Sequence, residues 1–160
     1  MTRAAHLGVE KIVSGGQTGA DRAALDAARE LGIATGGWLP RGRCAEDGPL
    51  PERYDGMAET GSADPAVRTG RNVRDSDATL IVSHGPPTGG TALTLERARA
   101  LGRPYLPLDL AALDRAAATA TLRAWLAERQ PRVLNVAGPR ASGDPAVYEA
   151  TRALLLAALG

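Results

Sequence analysis

Two glycine-rich stretches hold the residues best suited to chemistry. One is Ser14-Gly15-Gly16-Gln17-Thr18-Gly19-Ala20-Asp21, and the other is Gly85-Pro86-Pro87-Thr88-Gly89-Gly90-Thr91. Each follows a short apolar run and precedes a segment of helical periodicity. Glycine lets backbone approach a ligand closely. Free N–H groups at a helix start, with the helix dipole, favour an anion. Thr18 and Thr91 can add hydroxyl donors. Neither stretch continues into Gly-Lys-Ser/Thr, and neither is a Gly-x-Gly-x-x-Gly dinucleotide fingerprint. A small phosphate-bearing ligand is the expected class. Asp21 and Arg22 lie in the first helical turn after the first stretch. Asp21 is either a dipole-favoured helix-start residue or, facing inward, a group that orders ligand hydroxyls or a metal. Arg41, Gly42 and Arg43 form a basic loop that can clamp phosphate.

These residues need elements to position them. Apolar runs alternate with amphipathic stretches, the pattern of βαβ units. Strands are expected at 11–14, 33–39, 78–83, 105–108 and 133–136. Helices are expected at 20–31, from 65 to about 74, and at 91–101, 111–129 and 145–159. Asp64-Pro65 reads as an N-cap with proline at the first helical position. Residues 40–61 are long, irregular and rich in glycine, proline and charge, which marks the segment as functional or mobile. Parallel strands need such helical crossovers. The expected fold is one α/β, Rossmann-like three-layer domain over residues 1–160, with residues 1–8 flexible. Its five-stranded parallel sheet has the order 2-1-3-4-5 and helices on both faces. Ligands in such sheets sit beyond the carboxyl ends of the strands, where strand order reverses. That order makes the first and third strands neighbours and sets the two glycine turns face to face.

Composition narrows the function. A net charge of +1 argues against a strongly electrostatic nucleic-acid binder. The aromatics Trp38, Trp125, Tyr54, Tyr105 and Tyr148 are too few for a stacking groove. The single cysteine, Cys44, excludes an internal disulfide framework and fits a reducing compartment. With no long apolar run and no basic, apolar leader, a cytoplasmic location is expected. His6 and His84 are too isolated in sequence for a metal site, so no metal is expected.

The first turn and its extension, Ser14 to Asp26, resemble the opening of the proteins named as molybdenum cofactor carriers. So do Gly36-Gly37-Trp38-Leu39-Pro40-Arg41-Gly42-Arg43 and Ala45-Glu46-Asp47-Gly48. The similarity continues at Arg68-Thr69-x-x-Asn72-Val73-x-Asp75-Ser76-Asp77 and Gly89-Gly90-Thr91-Ala92-Leu93-Thr94. It spans about Lys11 to Pro107. The resemblance implies a Rossmann-like domain of the group that includes the lysine-decarboxylase-like cytokinin phosphoribohydrolases. It implies a homo-oligomer that binds molybdenum cofactor (molybdopterin with a terminal phosphate) for storage or transfer, with molybdoenzymes or cofactor-synthesis proteins as partners. The expected ligand-binding residues are Gly15, Gly16, Gln17, Thr18, Gly19, Asp21, Arg41, Gly42, Arg43, Arg68, Thr69, Asn72, Gly89, Gly90, Thr91 and Thr94. The phosphoribohydrolases place a glutamate three residues after the threonine of their second glycine motif. Here that position is Thr94, and Glu96 lies two further on, about 200° round the helix. A non-catalytic carrier is the first expectation. A nucleoside-monophosphate phosphoribohydrolase, with Asp21 or Asp75 supplying the acid, is the second, and a nucleotide-sensing or single-strand-binding module the third.

Overall fold

The computed structural model describes residues 5–160. Six strands form one parallel sheet: β1 (Lys11–Val13), β2 (Ala34–Leu39), β5 (Met57–Glu59), β6 (Ala78–Ser83), β7 (Tyr105–Asp109) and β8 (Val133–Ala137). Two further strands, β3 (Cys44–Ala45) and β4 (Gly48–Pro49), make a small antiparallel pair. The helices are α1 (Ala20–Leu31), α2 (Pro65–Asp75), α3 (Gly89–Ala100), α4 (Arg115–Arg129) and α5 (Val147–Leu159).

The sheet order is β5-β2-β1-β8-β6-β7, which corrects the expected five strands and their order. The strand expected at the far edge, β8, lies in the middle and pairs with both β1 and β6. Backbone bonds pin its start from both sides: Glu10 and Lys11 N–H donate to the Arg132 carbonyl, and Asp77 N–H donates to the Val133 carbonyl. The Asp77 carboxylate accepts from the N–H groups of Arg132 and Val133. With the short edge strand β5 set aside, carrying the β8–α5 unit to the front of the chain would give the other five strands the order 3-2-1-4-5, that of the doubly wound dinucleotide-binding folds. Residues 1–4 lie outside the described residues. Residues 5–8 form a turn against α5, with His6 Nδ1 2.8 Å from the Leu159 carbonyl oxygen, so the segments that such a rearrangement would join already touch.

The direction of each crossover decides its face. Connections running toward β5, through α1 and α4, share one face with α5; those running toward β7, through α2 and α3, take the other. The first face is apolar. Ile12, Leu80, Val82, Leu134 and Val136 alternate toward it and meet Ala20, Ala24, Ala27 and Ala28 of α1 and Leu122, Leu126, Leu154 and Leu155 of α4 and α5. The alanines thin α1 enough for α5 to lie close beside it. The second face carries Val13 and Ile81 but also buried Thr79, Ser83 and Asn135, opposed by Thr69 and Asn72 of α2 and Thr91 and Thr94 of α3. Buried polar groups at that density cost stability unless they are paired or used.

Residues 40–61 are built rather than loose. Arg41–Arg43 form a 3-10 turn, β3 and β4 pair, and β5 adds the edge strand on β2. Leu50 and Tyr54 bury against Leu25 and Leu39 in a second, smaller core. No helix among the described residues is long and apolar enough to cross a membrane.

Candidate functional site

The reversal of strand order falls between β8 and β6, beside β1, and a cleft of about 500 Å³ opens there above the polar face. Its size lies in the range of ordinary small-molecule sites. Three strand-to-helix turns and the start of α2 form its walls, with Ser83 and Asn135 beneath.

The β1–α1 turn is held by its own side chains. Ser14 Oγ donates to the Asp21 carbonyl (2.9 Å) and accepts from Gly16 N–H (3.3 Å). Gln17 Oε1 accepts from the N–H groups of Thr18 (2.9 Å) and Glu46 (2.8 Å). Gly19 has φ +80°, and the Pro139 carbonyl oxygen lies where a side chain on it would begin. Ala20 N–H donates to that same carbonyl. The β8–α5 loop therefore rests directly on the first glycine turn. Glu46 ties the two together: its carboxylate accepts from the Thr18 hydroxyl, from Ser142 N–H (3.1 Å) and from the Ser142 hydroxyl (2.6 Å). These bonds, that of the Ser142 hydroxyl foremost, hold Glu46 below the usual carboxylate range.

Of the residues expected to bind ligand, Gly15, Gln17, Asp21, Arg68, Thr69, Asn72, Gly89, Gly90, Thr91 and Thr94 line this one cleft. Gly16, Thr18 and Gly19 stand behind its wall, where they pack or tie the turn. Arg41, Gly42 and Arg43 do not reach it. Arg41 is exposed, Gly42 N–H donates to Glu59 (2.5 Å), and the Arg43 guanidinium donates to the carbonyls of Leu50 and Pro51. Asn72 lines the cleft with a committed amide, accepting from Trp38 N–H (2.7 Å) and donating to the Trp38 carbonyl (3.1 Å).

Asp21 is 6% exposed. Burial pushes its carboxyl up to about 6, against the opposing pull of Arg68, the Gln17 N–H, Arg22 and the Gly15 N–H. Asp75, the alternative acid, stands outside the cleft at the end of α2. It accepts from Arg74 and from Trp38 Nε1 (2.8 Å) and is held down to about 2, mainly by the Arg74 hydrogen bond. Thr94 lines the cleft and Glu96 is exposed, as helical geometry requires.

Two features present unmatched donors. The Arg68 guanidinium lies over Gly15, in the space a methyl group there would fill, and its Nε is buried with no partner. Its Nη1 donates to Thr69 Oγ1 (2.8 Å). The first turn of α3 has no side-chain cap from Thr88, and among the described residues the N–H groups of Gly89 and Gly90 have no partner.

The third turn, residues 138–144, had no place in the sequence expectation. Gly138 and Gly143 flanking Pro139, between an apolar strand and a helix, are the signal that marks it as a counterpart of the other two. It contributes Arg140 and Asp144 to the cleft, and Asp144 Oδ2 lies 2.5 Å from Nδ1 of His84.

The family model described as "Circularly permutated YpsA SLOG family" matches residues 12–159. A central β8, whose transfer to the front of the chain would give a doubly wound strand order, agrees with a description of circular permutation. A crystal structure of "Putative molybdenum carrier protein" from Syntrophus aciditrophicus SB is 47% identical, covers 96% of each chain and superposes with a TM-score of 0.93. No curated protein matches. A match over nearly the whole chain leads to one conclusion: the chain belongs to the circularly permutated YpsA SLOG family.

Proposed function

We propose that the cleft binds a small phosphate-bearing ligand and that the protein carries molybdenum cofactor. One observation carries the first part: donors without acceptors converge on a single cleft. Arg68 Nε and the N–H groups of Gly89 and Gly90 line it together. Of these, Arg68 Nε is buried, and a buried donor left unpaired costs about 1–3 kcal/mol, which an anionic ligand would recover; Gly89 and Gly90 are exposed and open to the ligand. The residues suit a pterin with a terminal phosphate. The uncapped α3 turn takes the phosphate, Arg68 takes a second anionic group, and the 500 Å³ volume accommodates a ligand of cofactor size. The name of the 47% identical relative supports the cargo. Native mass spectrometry of protein purified without air tests it. A retained pterin-sized mass, lost in Arg68→Ala, is expected. A bare chain that stays bare after incubation with cofactor released from a molybdoenzyme refutes it.

Asp21 supports a second reading, a nucleotide-processing enzyme. A buried carboxyl in a cleft, held at about 6, can donate a proton to a leaving group near neutral pH. Release of ribose 5-phosphate from nucleoside monophosphates would carry this reading. Asp21→Asn should then abolish turnover while binding persists. No release across the nucleotide panel ends it.

A further inference from the structure

The cleft holds one arrangement that neither reading uses. His84 follows β6 and Asp144 precedes α5, so their contact bridges the two strands between which the order reverses. Both residues line the cleft and both side chains are mostly shielded, at 29% and 17% exposure. A carboxylate oxygen only accepts, so Nδ1 carries the proton on that side and Nε2 is left as the ring's second polar atom. Both partners are fixed. Asp144 Oδ1 accepts from Ala146 N–H (3.1 Å), and its backbone carbonyl accepts from Val147 N–H (3.2 Å). On the other side, Ser83 Oγ donates to the Gly85 carbonyl (2.7 Å) and Gly85 N–H donates to Asp109 (2.8 Å). An imidazole clamped this way on a cleft wall is oriented, and a structural tie between loops would not need to sit in the cleft.

We propose that His84, positioned by Asp144, is a ligand-contacting residue of the cleft that binds an oxyanion group as an imidazolium, so that ligand binding takes up a proton at His84. The class of ligand is a phosphate-like dianion. The proposal rests on the cleft being an anion site and adds the residue that senses the anion's charge. The other charged or titrating groups facing the site are Asp144 and Arg140 on the β8–α5 loop, Asp109 at the end of β7, Asp21 on α1 and Arg68 on α2. Asp144 and Asp109 place negative charge near the ring. Asp21 also opposes an anion as it ionises through about 6, so its contribution must be separated.

Sulfate is the probe, because its own charge does not change between pH 5 and pH 9. The chain has two histidines, and His6 sits by the C-terminus of α5, at the opposite edge of the sheet, as an internal control. The test follows the His84 ring proton by NMR through a pH titration, with and without saturating sulfate, in the wild type and in Asp21→Asn. Sulfate should raise the His84 midpoint by about one pH unit in both, which is a roughly tenfold preference of the anion for the protonated form. The His6 midpoint should stay in place. His84→Gln should bind sulfate about tenfold more weakly at pH 6 and lose the pH dependence that persists in Asp21→Asn. Asp144→Asn, which frees the ring from its positioning partner, should shrink the sulfate-induced rise of the His84 midpoint. Saturable sulfate binding that leaves the His84 midpoint unmoved, or that His84→Gln reproduces, overturns the role of His84 and leaves the anion site standing. Absence of sulfate binding to the wild type at pH 5.5 overturns both.

Discussion

Replacing Gly15 with alanine separates a ligand site from a folding requirement. The new methyl carbon would stand 2.5 Å from Arg68 Nε, 2.8 Å from Cζ and 2.9 Å from Cδ. Carbon contacts settle at about 3.5–4.0 Å, so the guanidinium must retreat by roughly 1 Å. The clash is with the far end of a flexible side chain, and Gly15 is not among the glycines of positive φ. Stability should therefore change little. Retreat costs the Thr69 bond, about 1 kcal/mol. It also lets water reach an Nε that now has no partner, and alanine restrains the unfolded chain by about 0.4–1 kcal/mol. The net effect should lie within about 1 kcal/mol of zero. Binding should suffer more. A hydrogen bond to a charged group contributes about 1.5–3 kcal/mol, so affinity should fall roughly 10- to 150-fold. Calorimetric titration with sulfate and with a nucleoside monophosphate reads the loss, and thermal unfolding reads the stability. In a double-mutant cycle, Gly15→Ala with Arg68→Ala should bind no more weakly than Arg68→Ala alone. Wild-type affinity in Gly15→Ala, or additive losses in the cycle, would show that Arg68 does not contact the anion.

Other substitutions have equally distinct signatures. Asp21 ionises at about 6 in the folded protein against 3.8 when unfolded, so the native state holds the extra proton between those values. Stability should fall as pH rises through that window, by about 3 kcal/mol at its end. Denaturant melts at pH 4 and pH 7.5 should show the fall in the wild type and its absence in Asp21→Asn. Gly37→Ala places a carbon 2.2 Å from the Ser14 carbonyl oxygen at φ +133°, so urea melts should show a loss of at least about 2 kcal/mol. Arg43→Ala removes bonds to the Leu50 and Pro51 carbonyls. It should cost about 2 kcal/mol in the same melts and leave sulfate affinity unchanged.

Most of the elements were legible because their periodicity is local. The runs at 11–13, 34–39 and 78–83 and the capped start at Asp64-Pro65 required no knowledge of the rest of the chain. Strand order was not legible, because which strand pairs with which depends on contacts far apart in sequence. Val133 to Ala137 reads like any buried strand, and only its backbone bonds to Lys11 and Asp77 place it in the middle. Glycine chemistry locates two walls of the cleft and the family resemblance adds the Arg68–Asn72 helix face, while the third wall is hidden along with the position of β8. His84 looked isolated for the same reason: its partner Asp144 lies 60 residues away on that misplaced loop. Charge, a place after the second strand and the resemblance all point to Arg41 and Arg43, but none of these reports that the Arg43 guanidinium is already engaged by backbone carbonyls.

The central position of β8 governs the order of assembly during synthesis. A nascent chain that has left the ribosome only as far as residue 132 can pair β1 with β2 and β6 with β7, but no backbone ladder joins the two strand pairs, which meet through α2. Each half then presents a bare edge of unpaired N–H and C=O groups, the template on which chains aggregate. Residues 133–160 close both edges in one step and add the third wall of the crevice in the same act. A nascent chain stalled before Val133 is thus a candidate for chaperone capture rather than a partly active protein, and no ligand can rescue it, because the site that would hold the ligand is not yet complete.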